Sequence, residues 1–137
     1  MKNYLLDTNI CIYFIKGEYD LNKKIAEVGE ENCFISEITV AELKYGVENS
    51  KTAEKMREVI DGFILKFHVL PIFNCLDIYA KEKARLRKIG QMIDDFDILI
   101  GSTSVKNNMV MVTNNSKHLK RIENIVIENW TTKKLSI

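Results

Sequence analysis

Three carboxylates, Asp7, Glu42 and Asp97, stand where an alternating strand–helix chain aims acids at a ligand. Asp7 ends the apolar run Tyr4-Leu5-Leu6 and precedes Thr8 and Asn9, both helix-capping types, so it reads as an acid at the C-terminal end of a buried strand. Glu42 lies inside a helix, where at about 100° per residue it shares a face with Ile38, Ala41 and Tyr45. Val40, Leu43 and Val47 form a second apolar face of that helix. A carboxylate in such company is costly unless it is paired, hydrogen-bonded or bound to a cation. Asp97 opens the helix before the apolar run Met109–Thr113, and its face carries Gly101, Ser104 and Asn108, small enough to pack closely against the sheet edge. Asp94 and Asp95 make that first turn densely acidic, and Asn115 sits past Thr113 much as Asp7 sits past Leu6.

Taken singly, an Asp at a helix start is most often only a cap. Taken together, clustered carboxylates repel one another and, once desolvated, hold protons that a divalent cation would displace. Ligand sets made only of oxygen select Mg²⁺ or Mn²⁺, and Mg²⁺ keeps waters and binds substrate phosphate. The chemistry that follows is hydrolysis of a phosphodiester, with a metal activating water and neutralising developing charge.

The elements that must position these acids alternate along the chain. Residues 3–6 are expected to form a strand, followed by a helix capped by Thr8 or Asn9 and stopped at Gly17. A short helix over 20–28, a strand at Cys33-Phe34-Ile35 and a helix capped by Ser36 and running to about Asn49 come next. Met56, Val59, Ile60, Phe63, Ile64 and Phe67 give the clearest amphipathic helix, which can pair with its predecessor as a hairpin. His68-Val69-Leu70 reads as a strand closed by Pro71. Helices over 75–89 and 96–107, the strand 109–113, a short helix over 117–122 and a strand at Ile125-Val126-Ile127 complete the chain, with Trp130 packed at its end. Continuous apolar strands alternating with helices predict an α/β fold of three layers around a mostly parallel sheet. Ligand chemistry in such a sheet gathers beyond the carboxyl ends of the strands. Glu82 falls among Tyr79, Leu86 and Ile89 and takes a structural role, its head able to snorkel outward.

Composition narrows the classes. A chain of 137 residues, 46% hydrophobic and 28% charged, suits one ordinary globular domain over 1–137. Its net charge of +1 excludes a strongly basic nucleic-acid coat, so any such contact rests on local placement of charge. Cys11, Cys33 and Cys75 are odd in number and unpaired in spacing, as buried thiols of a reducing cytosol would be. No signal peptide and no membrane-spanning run is read, and a cytoplasmic location is expected.

Four stretches, Tyr4-Leu5-Leu6-Asp7-Thr8-Asn9, Ser36 to Val47, Asp97-Ile98-Leu99-Ile100-Gly101 and Val112-Thr113-Asn114-Asn115, resemble in order the motifs of PIN domains, most nearly the VapC toxins of type II toxin–antitoxin systems. The resemblance implies a Mg²⁺- or Mn²⁺-dependent endoribonuclease held inactive by a cognate antitoxin, usually as a homodimer. By resemblance Asp7, Glu42 and Asp97 are catalytic and metal-binding, and Thr8 and Thr113 are polar residues near the metal. Asn9 and Ser36 belong to the same motifs, and Asp94 can make an outer-sphere contact. Asn115 replaces an often acidic fourth position and is a weak ligand. Lys44, Lys81, Lys83, Arg85, Arg87 and Lys88 are candidates for steering RNA phosphates, although a run of cations on one helix is commonly just a solvated face. The two-helix arm can line a groove for an antitoxin helix. Three other readings stand beside this one. A haloacid-dehalogenase-like phosphatase needs a second Asp where Asn9 stands. A catalytically weak PIN module acting through a DNA-binding partner is favoured only by Asn115, and an RNA-processing PIN nuclease outside toxin–antitoxin systems shares the chemistry but not the partner.

Overall fold

The computed structural model describes residues 2–132. Its strands are β1 (Tyr4–Leu6), β2 (Cys33–Ser36), β3 (His68–Leu70), β4 (Val110–Val112) and β5 (Val126–Glu128), paired in the order β3-β2-β1-β4-β5. Every pairing is parallel, with Leu5 opposite Phe34 on one side and Met111 on the other. Parallel strands need crossovers, and these are helical. Helices α1 (Thr8–Ile15) and α2 (Leu21–Val28) link β1 to β2, and α3 (Glu37–Glu48) and α4 (Ala53–Lys66) link β2 to β3. Helices α5 (Leu76–Lys88) and α6 (Asp95–Lys106) link β3 to β4, and α7 (Ser116–Leu119) lies between β4 and β5. The expected α/β architecture is observed, with a sheet parallel throughout.

Strand alternation divides the core in two. Tyr4, Leu6, Cys33, Ile35, Val110 and Val112 face α1–α4, where Leu43, Ile60, Phe63 and Phe67 close the layer. Trp130 joins this side, its ring 5.2 Å from that of Tyr4. Leu5 and Met111 face the other layer, built from Leu86, Ile98, Ile100, Leu119 and Ile122. All three cysteines are buried thiols.

Several local expectations are corrected. The cap of α1 is Asp7 itself, not Thr8 or Asn9: its carboxylate accepts from the Thr8 N–H at 2.8 Å. Gly101 does pack closely, but against Ile122 beyond α7 and not the sheet edge; a Cβ there would overlap the Ile122 Cδ1. Glu82 does not snorkel. It is 7% exposed and held by Arg85 and by the Glu123 N–H. Burial leaves its charge no water, so it takes protein partners instead. Among the described residues, no helix is long and apolar enough to cross a membrane.

Candidate active site

Strand order reverses between β1 and β4, since β1 connects onward to β2 while β4 adds on its other side. A crevice opens at such a switch point beyond the strand ends. Asp7 follows β1 there and Thr113 follows β4, and the ladder extends one step past the strands as the Asp7 N–H donates to the Val112 carbonyl at 2.9 Å. The Thr113 hydroxyl donates to Asp7 Oδ2 at 2.7 Å and accepts from the Asn115 N–H at 2.9 Å. Asp7 is thus oriented through both oxygens, Oδ1 by the cap and Oδ2 by Thr113. Burial raises its pKa above the ordinary 3.8, and the two hydrogen bonds oppose that rise.

Glu42 reaches the same crevice from α3. The Thr8 hydroxyl donates to Glu42 Oε1 at 2.7 Å and lies 3.0 Å from the Thr39 hydroxyl. Thr8 has one hydroxyl proton, which Glu42 takes, so Thr39 is the donor in the second bond. The chain Thr39 to Thr8 to Glu42 therefore runs in one direction. Thr39 is wholly buried and was not among the expected site residues, although its i, i+3 relation to Glu42 puts both on one helix face. The expected apolar setting of Glu42 is corrected in part. Ile38 is buried, but Tyr45 is 70% exposed and Ala41 is exposed too, because the later part of that face turns to solvent. Hydrogen bonding to Thr8, not an apolar wall, orients Glu42.

Asp97 stands in the first turn of α6, partly buried. Its pKa is raised to about 6, first by burial and then by the negative charges of Asp7, Asp94 and Glu42. The fold has therefore brought the three sequence-distant acids within electrostatic reach. Asn115 Nδ2 faces Asp97 Oδ2 at 3.4 Å, a long contact in which the amide acts as donor. Asp94 is the exposed backbone cap of α6, and its side chain makes no capping bond.

The remaining candidates separate. Ser36 is buried and caps α3 by accepting from the Ile38 N–H at 3.0 Å, and exposed Asn9 stands outside the acidic network. Arg85 is withdrawn from RNA steering: it donates to Glu82 Oε2 at 2.7 Å and to the Arg121 carbonyl at 2.7 Å. Lys83 pairs with Asp95 at 2.8 Å, an exposed ion pair that costs little to break. Lys44, Lys81, Arg87 and Lys88 are exposed. Lys117 and Lys120, exposed around α7 and close to Asn115 in sequence, are two further cations outside the expected steering set.

The donor set is hard oxygen throughout, which suits Mg²⁺ or Mn²⁺. Among the described residues no three Asp, Glu, His or Cys side chains already form a closed metal cage. Mg²⁺ does not require one, since it takes one or two carboxylates and keeps its waters. Burial and the neighbouring negative charges together lift Asp97 to about 6, a conflict a cation would relieve, so the residues fit that ion.

The positioning role of Thr39 is testable. Thr39→Val, nearly isosteric, is expected to lower kcat for RNA cleavage about threefold to tenfold by freeing Thr8, at a stability cost of about 1 kcal/mol. Thr39→Ser should restore both, and an unchanged kcat in the Val variant would remove Thr39 from the site.

Comparison with known proteins identifies the family. The family model of the PIN domain matches residues 4–125. A ribonuclease VapC2 of Rickettsia felis is 37% identical over 130 residues, covering 93% of this chain and 97% of that protein. A tRNA(fMet)-specific endonuclease VapC of Salmonella typhimurium is 33% identical, covering 95% of this chain and 99% of that one. A crystal structure of DNA-bound VapBC from Salmonella typhimurium superposes with a TM-score of 0.87 at 32% identity, covering 95% of this chain and 99% of that chain. With the acids at the switch point and the match running along nearly the whole chain, this protein belongs to the PIN-domain family, among its VapC ribonucleases.

Proposed function

We propose that this chain is the toxin of a toxin–antitoxin pair and cleaves RNA at Asp7, Glu42 and Asp97 with Mg²⁺ or Mn²⁺. The observation that carries this reading is the hydrogen-bonded row Asp7, Thr113, Asn115, Asp97 in the switch-point crevice, with Glu42 held beside Asp7 by the Thr8 hydroxyl. Asp7 and Asp97 would hold the cation, with the Asn115 carbonyl oxygen a weak further ligand after rotation of its amide. A bound divalent ion supplies Lewis acidity toward a phosphoryl oxygen and lowers the pKa of water.

The chain's own residues do the rest. The Thr8 hydroxyl fixes Glu42 Oε1, leaving Oε2 to accept a proton from the attacking water. The water oxygen forms the new bond to phosphorus, and the ribose oxygen leaves with its electron pair and takes a proton from solvent. Thr113 keeps Asp7 turned into the crevice throughout. Lys44, Lys83 and Arg87 draw the polyanion toward an otherwise repulsive acidic site.

For the antitoxin, the groove between α3 and α4 is the place of choice. It encloses about 400 Å³ beside Tyr45, Val47, Arg57 and Ile60, and its mixed apolar and charged lining suits an amphipathic helix. A homodimer in a reducing cytoplasm, as one PIN-like unit over 1–137, is the expected form.

The test is cleavage of single-stranded RNA and of tRNA by the purified protein with Mg²⁺, with Mn²⁺ and with EDTA, beside a thermal melt in each. Cleavage is expected only with metal, together with a melting temperature that rises with metal concentration. Undiminished cleavage in EDTA would refute the metal site. Absence of both cleavage and a metal-dependent melt would refute the ribonuclease reading.

A further inference from the structure

A second feature adjoins the acidic crevice and is left unused by the chemistry above. Asn114, the neighbour of Thr113, is exposed, and its Nδ2 donates to the Tyr13 hydroxyl at 3.1 Å. The Tyr13 ring meets Tyr19 edge-on, centroids 5.1 Å apart at 71°. Tyr19 is 41% exposed, in the turn between α1 and α2. Both it and Asp20 hold left-handed backbone, at φ 58° and 53°. The row Asp7, Thr113, Asn114, Tyr13, Tyr19 is thus a continuous path from the catalytic carboxylate to an exposed aromatic ring.

Beyond Tyr19 the path opens into a groove of about 490 Å³ bordered by Asp20, Lys23, Lys24, Glu27, Asn129 and Trp130. Two acids there offset two lysines, and Lys24 already lies over the Trp130 ring at 5.6 Å. This balance is wrong for a phosphate-binding site, which needs excess positive charge. It suits a nucleobase, whose flat face stacks on a ring and whose amino edge donates to a carboxylate.

We infer that Tyr19 is a stacking platform for a base of the RNA substrate a few nucleotides from the scissile phosphate, with Tyr13 and Asn114 bracing it against the crevice. The inference rests on the ribonuclease reading and adds to it a subsite that engages unpaired RNA. Stacking on an aromatic ring tolerates any base, so Tyr19 contributes affinity for single strands and little sequence preference.

The experiment compares Tyr19→Ala and Tyr19→Trp in two backgrounds. In Asp97→Asn, as a non-cleaving binder, the Kd for a labelled single-stranded RNA dodecamer of mixed sequence is measured by fluorescence anisotropy. In the otherwise native chain with Mg²⁺, KM and kcat for the same RNA are measured. Tyr19→Ala is expected to weaken Kd and raise KM about tenfold, within the range of one lost base–aromatic stack, with kcat changing less than twofold. Tyr19→Trp should match the parent. If the native chain cleaves the dodecamer and Tyr19→Ala leaves Kd and KM unchanged, the stacking inference is overturned while the ribonuclease reading stands. A loss in Tyr19→Ala that Tyr19→Trp fails to restore, or that comes with a lowered melting temperature, overturns it as well. Failure of the native chain to bind or cleave any RNA overturns both.

Discussion

Asp97→Asn is expected to abolish metal-dependent RNA cleavage while making the metal-free protein more stable at neutral pH. The first effect follows from removing one of the two anionic ligands proposed for the metal; losing several kcal/mol of transition-state stabilisation lowers the rate about 10³-fold or more. The second follows from the strain of crowded acids. Folding raises the Asp97 pKa from 3.8 to about 6, so between those values the folded chain keeps a proton that the unfolded chain has released. Stability therefore falls as pH rises through that window, and the whole loss is present at pH 7. The interval corresponds to about 3 kcal/mol, which partial exposure and solvent screening reduce to about 1–2 kcal/mol. An asparagine never ionises and escapes the loss. Melts of the metal-free proteins should therefore favour Asp97→Asn by several degrees at pH 7 and converge below about pH 4. Asp7→Asn is expected to lose cleavage to the same degree, since Asp7 would hold the same ion. If both variants cleave RNA like the parent, the site lies elsewhere. If Asp97→Asn melts below the parent at pH 7, the acids are not in conflict in the folded state.

Glu82→Ala is expected to destabilise the fold by about 1–3 kcal/mol, the loss of charge-assisted hydrogen bonds to a buried carboxylate whose partner Arg85, 34% exposed, can turn to water. Glu82 accepts from Arg85 Nε at 3.1 Å and Nη2 at 2.7 Å, and from the Glu123 N–H at 3.1 Å. Arg85 in turn donates to the Arg121 carbonyl at 2.7 Å. These bonds tie α5 to the segment after α7, on the layer that carries Asp97. The Arg85 hydrogen bonds, chiefly, hold the Glu82 pKa below its ordinary 4.5, with the Glu123 N–H adding to them. That part of the stability is complete above pH 4.5 and fades as pH falls through the lowered value. Urea unfolding at pH 7 measures the cost, and Glu82→Gln should recover part of it by keeping the N–H contact. A difference under 0.5 kcal/mol between Glu82→Ala and the parent would mean that the pair is dispensable.

These predictions rest on different kinds of information. The order of strands and helices is legible in the chain because each strand is a short apolar run bounded by polar or turn residues. Helix α4 carries a clear 3.6-residue apolar period and the other long helices are bounded by capping residues and glycines, and both signals are local. Asp7, Glu42 and Asp97 also stand out locally, two at element ends and one inside a helix. A fold with every strand parallel leaves one edge for such residues, so their candidacy follows from topology alone.

Local pattern does not carry pairing. Neither the spacing of Asp7 and Thr113 nor that of Thr8, Thr39 and Glu42 states that these side chains meet, because each contact spans 31 to 106 residues and forms only when β1, β4 and α3 are packed. The face of α3 was misread for the same reason: Ala41 and Tyr45 look inward on a helical wheel, yet which face is inward depends on the neighbours α4 and α6. On the sequence Glu82 reads as a structural acid and Arg85 as a cation for steering RNA; only the packed segment at Arg121–Glu123 joins them into one network. The sequence by itself determined the α/β class and the family and made the three acids candidates, since those depend on residue type and period. Only the tertiary structure decided that Asp7 caps α1 as well as facing the crevice, that Thr39 orients Glu42 through Thr8, and that Arg85 serves the fold. Hydrogen bonds between sequence-distant groups are chosen by burial, which does not exist until the layers come together.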